Sequence, residues 1–230
     1  MDSLWRDVRY AVRVLLKARG FTVVAVLSLA LGIGANTAIF SVVSAVLLRA
    51  LPFHEADRLV VVWEDASFAG FPQNTPAPAN YADWKAQNAT FDDMAALAER
   101  TFNLTGDAEP QKVPAHAVTA NMFSLLGAQP AIGRSFSPEE DVRTANVVVL
   151  SYGLWQNRFG GRADIIDREI LLDGQQHRVI GVMPREFQLL DDSIAIWTPL
   201  GLTAEDFANR NSHYLTVIGR TKPGVTLSEA

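Results

Sequence analysis

Twenty-nine consecutive residues, Gly20 to Leu48, carry no charged side chain. A helix of that length reaches roughly 43 Å at about 1.5 Å per residue, more than the ~30 Å hydrocarbon core of a bilayer. The run is apolar on every side, so it predicts a transmembrane helix over residues 20–48. Secretory signals have an apolar region of about 7–15 residues followed by a small-residue cleavage site. This run is about twice as long and ends at Val46-Leu47-Leu48-Arg49 without Ala-x-Ala, which favours an uncleaved anchor. Ala25, Ser28, Gly32, Ala35 and Asn36 share one stripe at 100° per residue, with Thr37 and Ser41 elsewhere. Small residues permit close approach between membrane helices, and an Asn in the bilayer seeks a protein partner. These five residues are the expected helix-packing face, against helices that this chain does not contain.

Residues 1–19 have a second pattern. Leu4, Trp5, Val8, Ala11, Val12, Leu15 and Leu16 fill one arc of a helical wheel, and Arg6, Arg9, Arg13 and Lys17 fill an adjoining one. A basic amphipathic helix with a tryptophan lies in the headgroup layer of an anionic leaflet. Trp5, Arg6, Arg9, Arg13 and Lys17 are therefore expected to contact membrane lipid, and the helix reads either as a topology signal alone or as an elbow that also touches a cytoplasmic partner.

From Arg58 onward short runs alternate with turn chemistry. Leu59–Trp63 reads as a buried strand. Residues 66–80 hold three prolines and one glycine and read as a loop, followed by a helix over Tyr81–Gln87 capped by Asn80. Strands are expected at Met94–Leu104 and Lys112–Thr119, joined by Thr105-Gly106-Asp107, then a short helix at Asn121–Leu126 stopped by Gly127. Ser137-Pro138-Glu139-Glu140 has the signature of a helix start. Asn146–Leu150 is a strand, and Ser151 caps a helix ended by Gly160-Gly161. Asp173-Gly174 between Ile170–Leu172 and Gln176–Val182 favours a type I′ hairpin, since both central residues need positive φ. Ile194–Trp197 and Tyr214–Arg220 complete the strands. The fold class is α+β: a transmembrane helix, then a mixed or antiparallel sheet with short helices.

Charge sharpens this division. Residues 1–19 carry a net +3, the whole chain −5 and the remainder −8. Basic residues beside a membrane helix stay on the cytoplasmic side, so the acidic remainder is expected in the periplasm of a bacterium, with the helix in the inner membrane. An acidic body offers no basic face to nucleic acid. The chain has no cysteine, so disulfides say nothing about compartment.

Catalytic chemistry is not apparent. His54, His116, His177 and His213 lie far apart without ligand spacing, and read as surface or half-buried residues rather than metal ligands. Gly32-Ile33-Gly34 lacks the third glycine and the βαβ unit of a dinucleotide loop, and no P-loop occurs. Asp92-Asp93 and Asp191-Asp192 are adjacent pairs whose members point to different faces, as in solvated turns. Trp63, Trp84, Trp155 and Trp197 read as core. No catalytic, cofactor-binding or metal site is assigned.

Several stretches carry a family resemblance. They are Leu48–Phe53 with Asp57–Val60, Leu125–Pro130 with Gly133–Phe136, Leu150–Trp155 through Phe159–Gly161, Leu172–Gly174 with Val179–Pro184, and Gly219–Thr226. In this order they resemble the N-terminal anchor and periplasmic core domain of MacB-like ABC transporter permeases, the FtsX-like superfamily. The opening, Trp5–Tyr10 through Gly32–Phe40, is most similar to the duplicated permeases common in acidobacteria. Ala50 stands where Pro is usual, and Asp167 where the family commonly has Gly before Arg168.

The resemblance implies three domains: a juxtamembrane helix over 1–19, a transmembrane helix over 20–48 and a MacB-like periplasmic core domain over 49–230, incomplete at its C-terminus. It implies a non-catalytic permease component whose periplasmic domain is moved by ATP hydrolysis in a partner subunit, in export or mechanotransmission. The implied partners are an ABC ATP-binding subunit, which holds the ATP, further permease helices or a second permease copy, and a periplasmic protein. The alternative is a membrane-anchored periplasmic binding or sensor domain that works without an ATPase.

Overall fold

A computed structural model describes Trp5, Arg6, Arg9, Tyr10, Arg13, Leu15 and residues 17–43, 53–106 and 109–229. The chain divides into two compact units, Met1–Leu51 and Pro52–Ala230. In the first, α1 runs from Arg19 to Val43. Its segment Arg19–Ser41 is long and apolar enough to cross a membrane. The expected continuation over residues 44–48 lies outside the described residues, as do Leu4, Val8, Ala11, Val12 and Leu16 of the basic helix and Arg49–Pro52 of the family motif. Trp5, Arg6, Arg9, Tyr10, Arg13, Leu15 and Lys17 have helical backbone, and Ala18 is a bend before α1. The Thr22 hydroxyl lies 2.6 Å from the Leu15 carbonyl oxygen and 3.0 Å from that of Ala18, beside this bend.

The second unit is built on one mixed sheet. Its strands are β1 (Leu59–Val62), β4 (Phe91–Thr105), β5 (Gln111–Val118), β6 (Ile132–Gly133), β7 (Val147–Leu150), β8 (Glu169–Leu172), β9 (Gln175–Val182), β10 (Ile196–Pro199) and β11 (Thr216–Thr221). The order is β1-β11-β4-β5-β10-β7-β9-β6, with β8 bridging β4 and β9. Six ladders therefore close on themselves: β4, β5, β10, β7, β9, β8 and back to β4 through Leu104↔Leu172 and Thr105↔Leu171. Every strand of this ring contributes to one apolar cluster, including Leu104, Val113, Val148, Ile170, Val179 and Ile196.

The fifteen residues of β4 join this ring to the rest. Its first half pairs with β11 and its second with β5. Burial follows the two-residue period of the strands. Leu97 faces a cluster with Val118, Trp197 and Phe123, while Ala96 and Ala98 face one with Tyr81 and Val217. Short helices cover the sheet: α2 (Pro78–Gln87), α3 (Met122–Leu126), α4 (Tyr152–Phe159) and α5 (Ala204–Ala208).

Turn chemistry sets the boundaries. The Leu154 amide donates to Ser151 Oγ at 3.1 Å, and Gly160 and Gly161 follow α4 at φ 65° and 64°. Gly127 ends α3 at φ 67°, and Asp173 and Gly174 turn the β8–β9 hairpin at 49° and 80°. Ser137 and Glu140 form the reciprocal bonds of a capping box around a 3₁₀ turn at Pro138–Glu140.

Four sequence expectations need correction. Leu59–Val62 is not a buried strand: β1 is the sheet edge, Val61 is exposed, and Trp63 beyond it is 44% exposed rather than core. The proline-rich stretch is not simply a loop. It holds a hairpin of β2 (Glu64–Ala66) and β3 (Phe71–Asn74), followed by the first turn of α2. Asn80 does not cap α2, because Pro78 already starts it; Glu64 Oε1 instead accepts from the Ala77 amide at 2.8 Å and from Asn80 Nδ2 at 2.7 Å. The last strands begin two residues later than expected, since Ala195 bonds to Pro114 outside the ladder.

Candidate functional site

The membrane-directed residues come first. Ser28, Gly32, Ala35 and Asn36 of α1 are exposed and Ala25 is half-exposed within this chain. A side chain added at Gly32 would meet nothing within 4 Å. The opposite faces are equally bare, with Leu31 and Phe40 more than half exposed. Trp5, Arg6, Arg9, Arg13 and Lys17 are exposed on helical backbone.

In the body, the first and last described strands lie side by side. β1 and β11 are antiparallel, with Leu59 opposite Arg220 and Val62 opposite Val217. Two arginines lock this pair. Arg58 donates from Nε and Nη2 to the Thr221 carbonyl at 2.8 and 2.6 Å, and forms ion pairs with Glu55 and Asp92. Arg220, buried, donates from Nε and Nη2 to the Leu125 carbonyl at 3.2 and 2.6 Å, and from Nη1 to the Glu55 carbonyl at 3.1 Å. Leu125 is in the last turn of α3, where helical carbonyls lack backbone partners, and the guanidinium supplies donors in a fixed fork. Glu55 Oε2, 3.6 Å from Arg220 Nη1, gives that charge a counterion.

The entry segment also seats on α3. The His54 amide donates to the Leu126 carbonyl at 3.3 Å, and a Cβ at Gly127 would stand 2.5 Å from His54 Cβ. Only glycine fits there. Both arginines lie inside the family-like stretches, but nothing local in the sequence marks them as a clamp, because Arg220 and Leu125 are 95 residues apart.

A second concentration of polar groups lies on the sheet. His116 pairs in register with Glu99 of β4 and with Trp197 of β10. His116 is 3% exposed and Trp197 1%, and among the described residues neither His116 Nδ1 nor Trp197 Nε1 has a hydrogen-bond partner. Burial lowers the His116 pKa, against the opposing pull of Glu99 and Asp191. A cleft of about 670 Å³ is lined by Glu99, Arg100, His116, Leu190, Asp191 and Ile194 among others. A neighbouring cleft, lined by Trp197 and Phe187, shares Asp191 and Ile194 with it. Asp191 and Ile194, in the turn 189–194, thus form a common wall. There the Asp191 amide bonds to the Leu189 carbonyl at 2.8 Å across Leu190, whose φ is 64°. Such a turn on a branched residue costs of order 1–3 kcal/mol.

The histidine reading therefore needs correction: His116 and His177 are buried, His116 on a central strand flanked by β4 and β10. Among the described residues no group of three or more His, Asp or Glu side chains is placed to hold a metal. The paired carboxylates diverge as adjacency requires. Asp92 meets Arg58, whereas Asp93 meets Lys85 at 3.0 Å and Asn121 Nδ2 at 2.6 Å. Trp84 and Trp155 pack half-buried against the clusters, and Trp197 is core.

Comparison with known proteins agrees with this architecture. The sequence profile of the MacB-like periplasmic core domain matches residues 22–230. The macrolide export ATP-binding/permease protein MacB of Shigella dysenteriae is 28% identical over 118 residues, which are 50% of this chain and 18% of that protein. The chain thus spans under a fifth of that relative. Three solved domains share the fold at 14% identity. One, from a permease protein of Porphyromonas gingivalis, has a TM-score of 0.58, covering 76% of this chain and 80% of that one. The periplasmic region of MacB from Actinobacillus actinomycetemcomitans scores 0.53, over 74% and 76%. The extracellular domain of the ABC-type transporter YknZ from Gram-positive bacteria scores 0.52, over 72% and 83%. With its apolar helix, its mixed sheet and a profile match over most of its length, the chain belongs to the MacB-like periplasmic core domain family of ABC transporter permeases.

Proposed function

We propose that this chain is the non-catalytic membrane component of an ABC system, with α1 in the inner membrane, residues 1–19 in the cytoplasm and the body in the periplasm. ATP hydrolysis in a separate ATP-binding subunit drives the body to move, for export or for mechanotransmission. The stripe of Ala25, Ser28, Gly32, Ala35 and Asn36 meets further permease helices or a second copy, and Trp5, Arg6, Arg9, Arg13 and Lys17 lie on lipid. The observation that carries this reading is the clamp. Strands β1 and β11, far apart in sequence, are adjacent, antiparallel and tied by Arg58 and Arg220 to one another and to α3. A displacement applied at the entry segment is transferred to the sheet rather than absorbed by a loose linker.

Two measurements test it. The chain has no cysteine, so single cysteines at Ser3 and Phe68 can be labelled with an impermeant maleimide. Phe68→Cys is expected to react in spheroplasts and Ser3→Cys only after lysis; the reverse pattern overturns the orientation. For the motion, the chain is reconstituted with its ATP-binding subunit in nanodiscs. Hydrogen exchange in residues 55–62 and 216–221 should respond to ATP, and should not respond with a hydrolysis-deficient subunit. An identical response with both, or none with either, favours an anchored binding or sensor domain that needs no ATPase.

A further inference from the structure

The His116 row has a feature that the lever reading does not use. His116 is buried with Nδ1 unpartnered, beneath a wall that carries a carboxylate and one strained residue. We propose that His116 is a proton sensor, and that its protonation reorders the turn Leu189–Ile194.

The argument is one of charge and room. Neutral imidazole fits this site, because Leu97, Pro114 and Ile194 surround the same cleft with apolar surface. The imidazolium does not fit without a counter-charge, since both its nitrogens become donors. The charged groups that face it are Glu99 and Arg100 from β4 and Asp191 from the turn. Glu99 and Asp191 both act on His116 electrostatically. Glu99 is held by a long ladder between β4 and β5. Asp191 is held by less: its Oδ1 accepts from the Ser193 amide at 2.7 Å, within the turn itself.

The turn is anchored at both ends and loose between them. Leu189 and Ile194 are buried, and the Ala195 amide is bonded to Pro114, whereas Leu190 is 61% exposed at positive φ. Relaxing Leu190 and swinging Asp191 toward His116 stabilises the charged ring and relieves the turn together. The same movement alters the wall shared with the Trp197 cleft. Acidification of the compartment that holds the body would be read there without an enzyme or a metal. A two-state element biased by one protonation is all that such a switch requires.

The test uses the full chain in nanodiscs, labelled with ¹³Cε1-histidine. Four histidine resonances are expected, and the one missing in His116→Gln is that of His116. It should titrate below the midpoint of an exposed histidine. Over the same pH interval hydrogen exchange in residues 189–194, corrected for its intrinsic pH dependence, should rise about threefold or more, as for a local opening. The His116→Gln chain should show no such rise. Titration of His116 with unchanged exchange in the turn overturns the proposal. So does an imidazole that stays neutral until the body unfolds, or a rise that persists in His116→Gln. Assignment by elimination with His54→Gln, His177→Gln and His213→Gln makes the first two outcomes readable in chains that keep His116, so a His116→Gln chain that fails to fold leaves the proposal exposed to refutation.

Discussion

α1 and the body handle apolar surface in opposite ways. In α1 large side chains such as Leu31 and Phe40 stay exposed around the whole circumference, and none of its apolar window is buried within the chain. In the body, every ring strand contributes buried residues, and three clusters take up most of the large apolar groups, with Phe68 and Phe71 among the exceptions. One region keeps its apolar surface outside the chain's own packing; the other packs most of its own. The stability of the body should therefore be indifferent to α1, while the assembly of α1 should be indifferent to the core.

Trp197→Ala breaks the comparison most severely. The indole packs against Phe123 and Phe187 at centroid distances of 6.1 and 5.3 Å. Its removal should destabilise the body by about 3–5 kcal/mol in urea denaturation. Trp197→Phe should cost much less, since it keeps a ring and removes an unpartnered donor. Gly32→Leu on α1 should leave the urea midpoint of the body where it was and reduce recovery of partner helices in a membrane pull-down. If Gly32→Leu shifts that midpoint, the two regions are not independent.

Gly174→Val comes next. Nothing lies within 4 Å of the added Cβ, so the whole effect is backbone strain at φ 80°. A β-branched residue there should cost about 1–3 kcal/mol, read as a lower melting temperature of the body. An unchanged melting temperature would mean that the β8–β9 turn is not type I′ in solution.

These two sites also show what the sequence makes legible. Gly174 could be found because the conformation of a turn is set locally: Asp173-Gly174, Gly160-Gly161 and Gly127 take positive φ themselves, and the Ser151 cap reaches only to Leu154. The β2–β3 hairpin was hidden because Pro72, Pro76 and Pro78 read as loop, while the group that organises its exit, Glu64, acts thirteen residues away on Ala77. The burial of His116 and the reach of Arg220 to Leu125 depend on strand order, which no periodicity encodes. Trp63 misled for the same reason, since a β-branched run looks identical at the edge and at the centre of a sheet. The anchor was legible because its requirement, length without charge, is one-dimensional. The clamp was not, because its requirement is the adjacency of the first and last strands.

Acid sensitivity sharpens the comparison further, because α1 holds no histidine and the effect must come from the body. Burial holds His116 below its ordinary value of 6.5. As pH falls below that value the unfolded chain takes up a proton that the folded chain refuses. The contribution to stability is therefore complete above about pH 6.5 and is lost as pH drops through the window beneath it. Urea midpoints should fall more steeply between pH 7 and 5 in wild type than in His116→Gln. Equal slopes would mean that His116 is not the group responsible.

The smallest effect is expected at Asp167, where a family-typical glycine is replaced. Its φ is 63°, its amide donates to the Val179 carbonyl at 2.8 Å, and its carboxylate lies 3.9 Å from Arg178 Nε with both side chains more than half exposed. An exposed ion pair at that distance contributes little. Asp is among the few residues that enter the left-handed region readily, whereas an ordinary residue loses roughly 1–2 kcal/mol there. Glycine relieves the strain that remains but adds freedom to the unfolded chain, a cost of roughly 0.5–1 kcal/mol. The two nearly cancel, so Asp167→Gly should stay within about 0.5 kcal/mol of wild type, while Asp167→Ala should cost about 1 kcal/mol. The order of the three matters more than any one value. If Ala matched Asp and Gly in thermal denaturation, the backbone at residue 167 would not need positive φ, and the departure from the family glycine would be conformationally free.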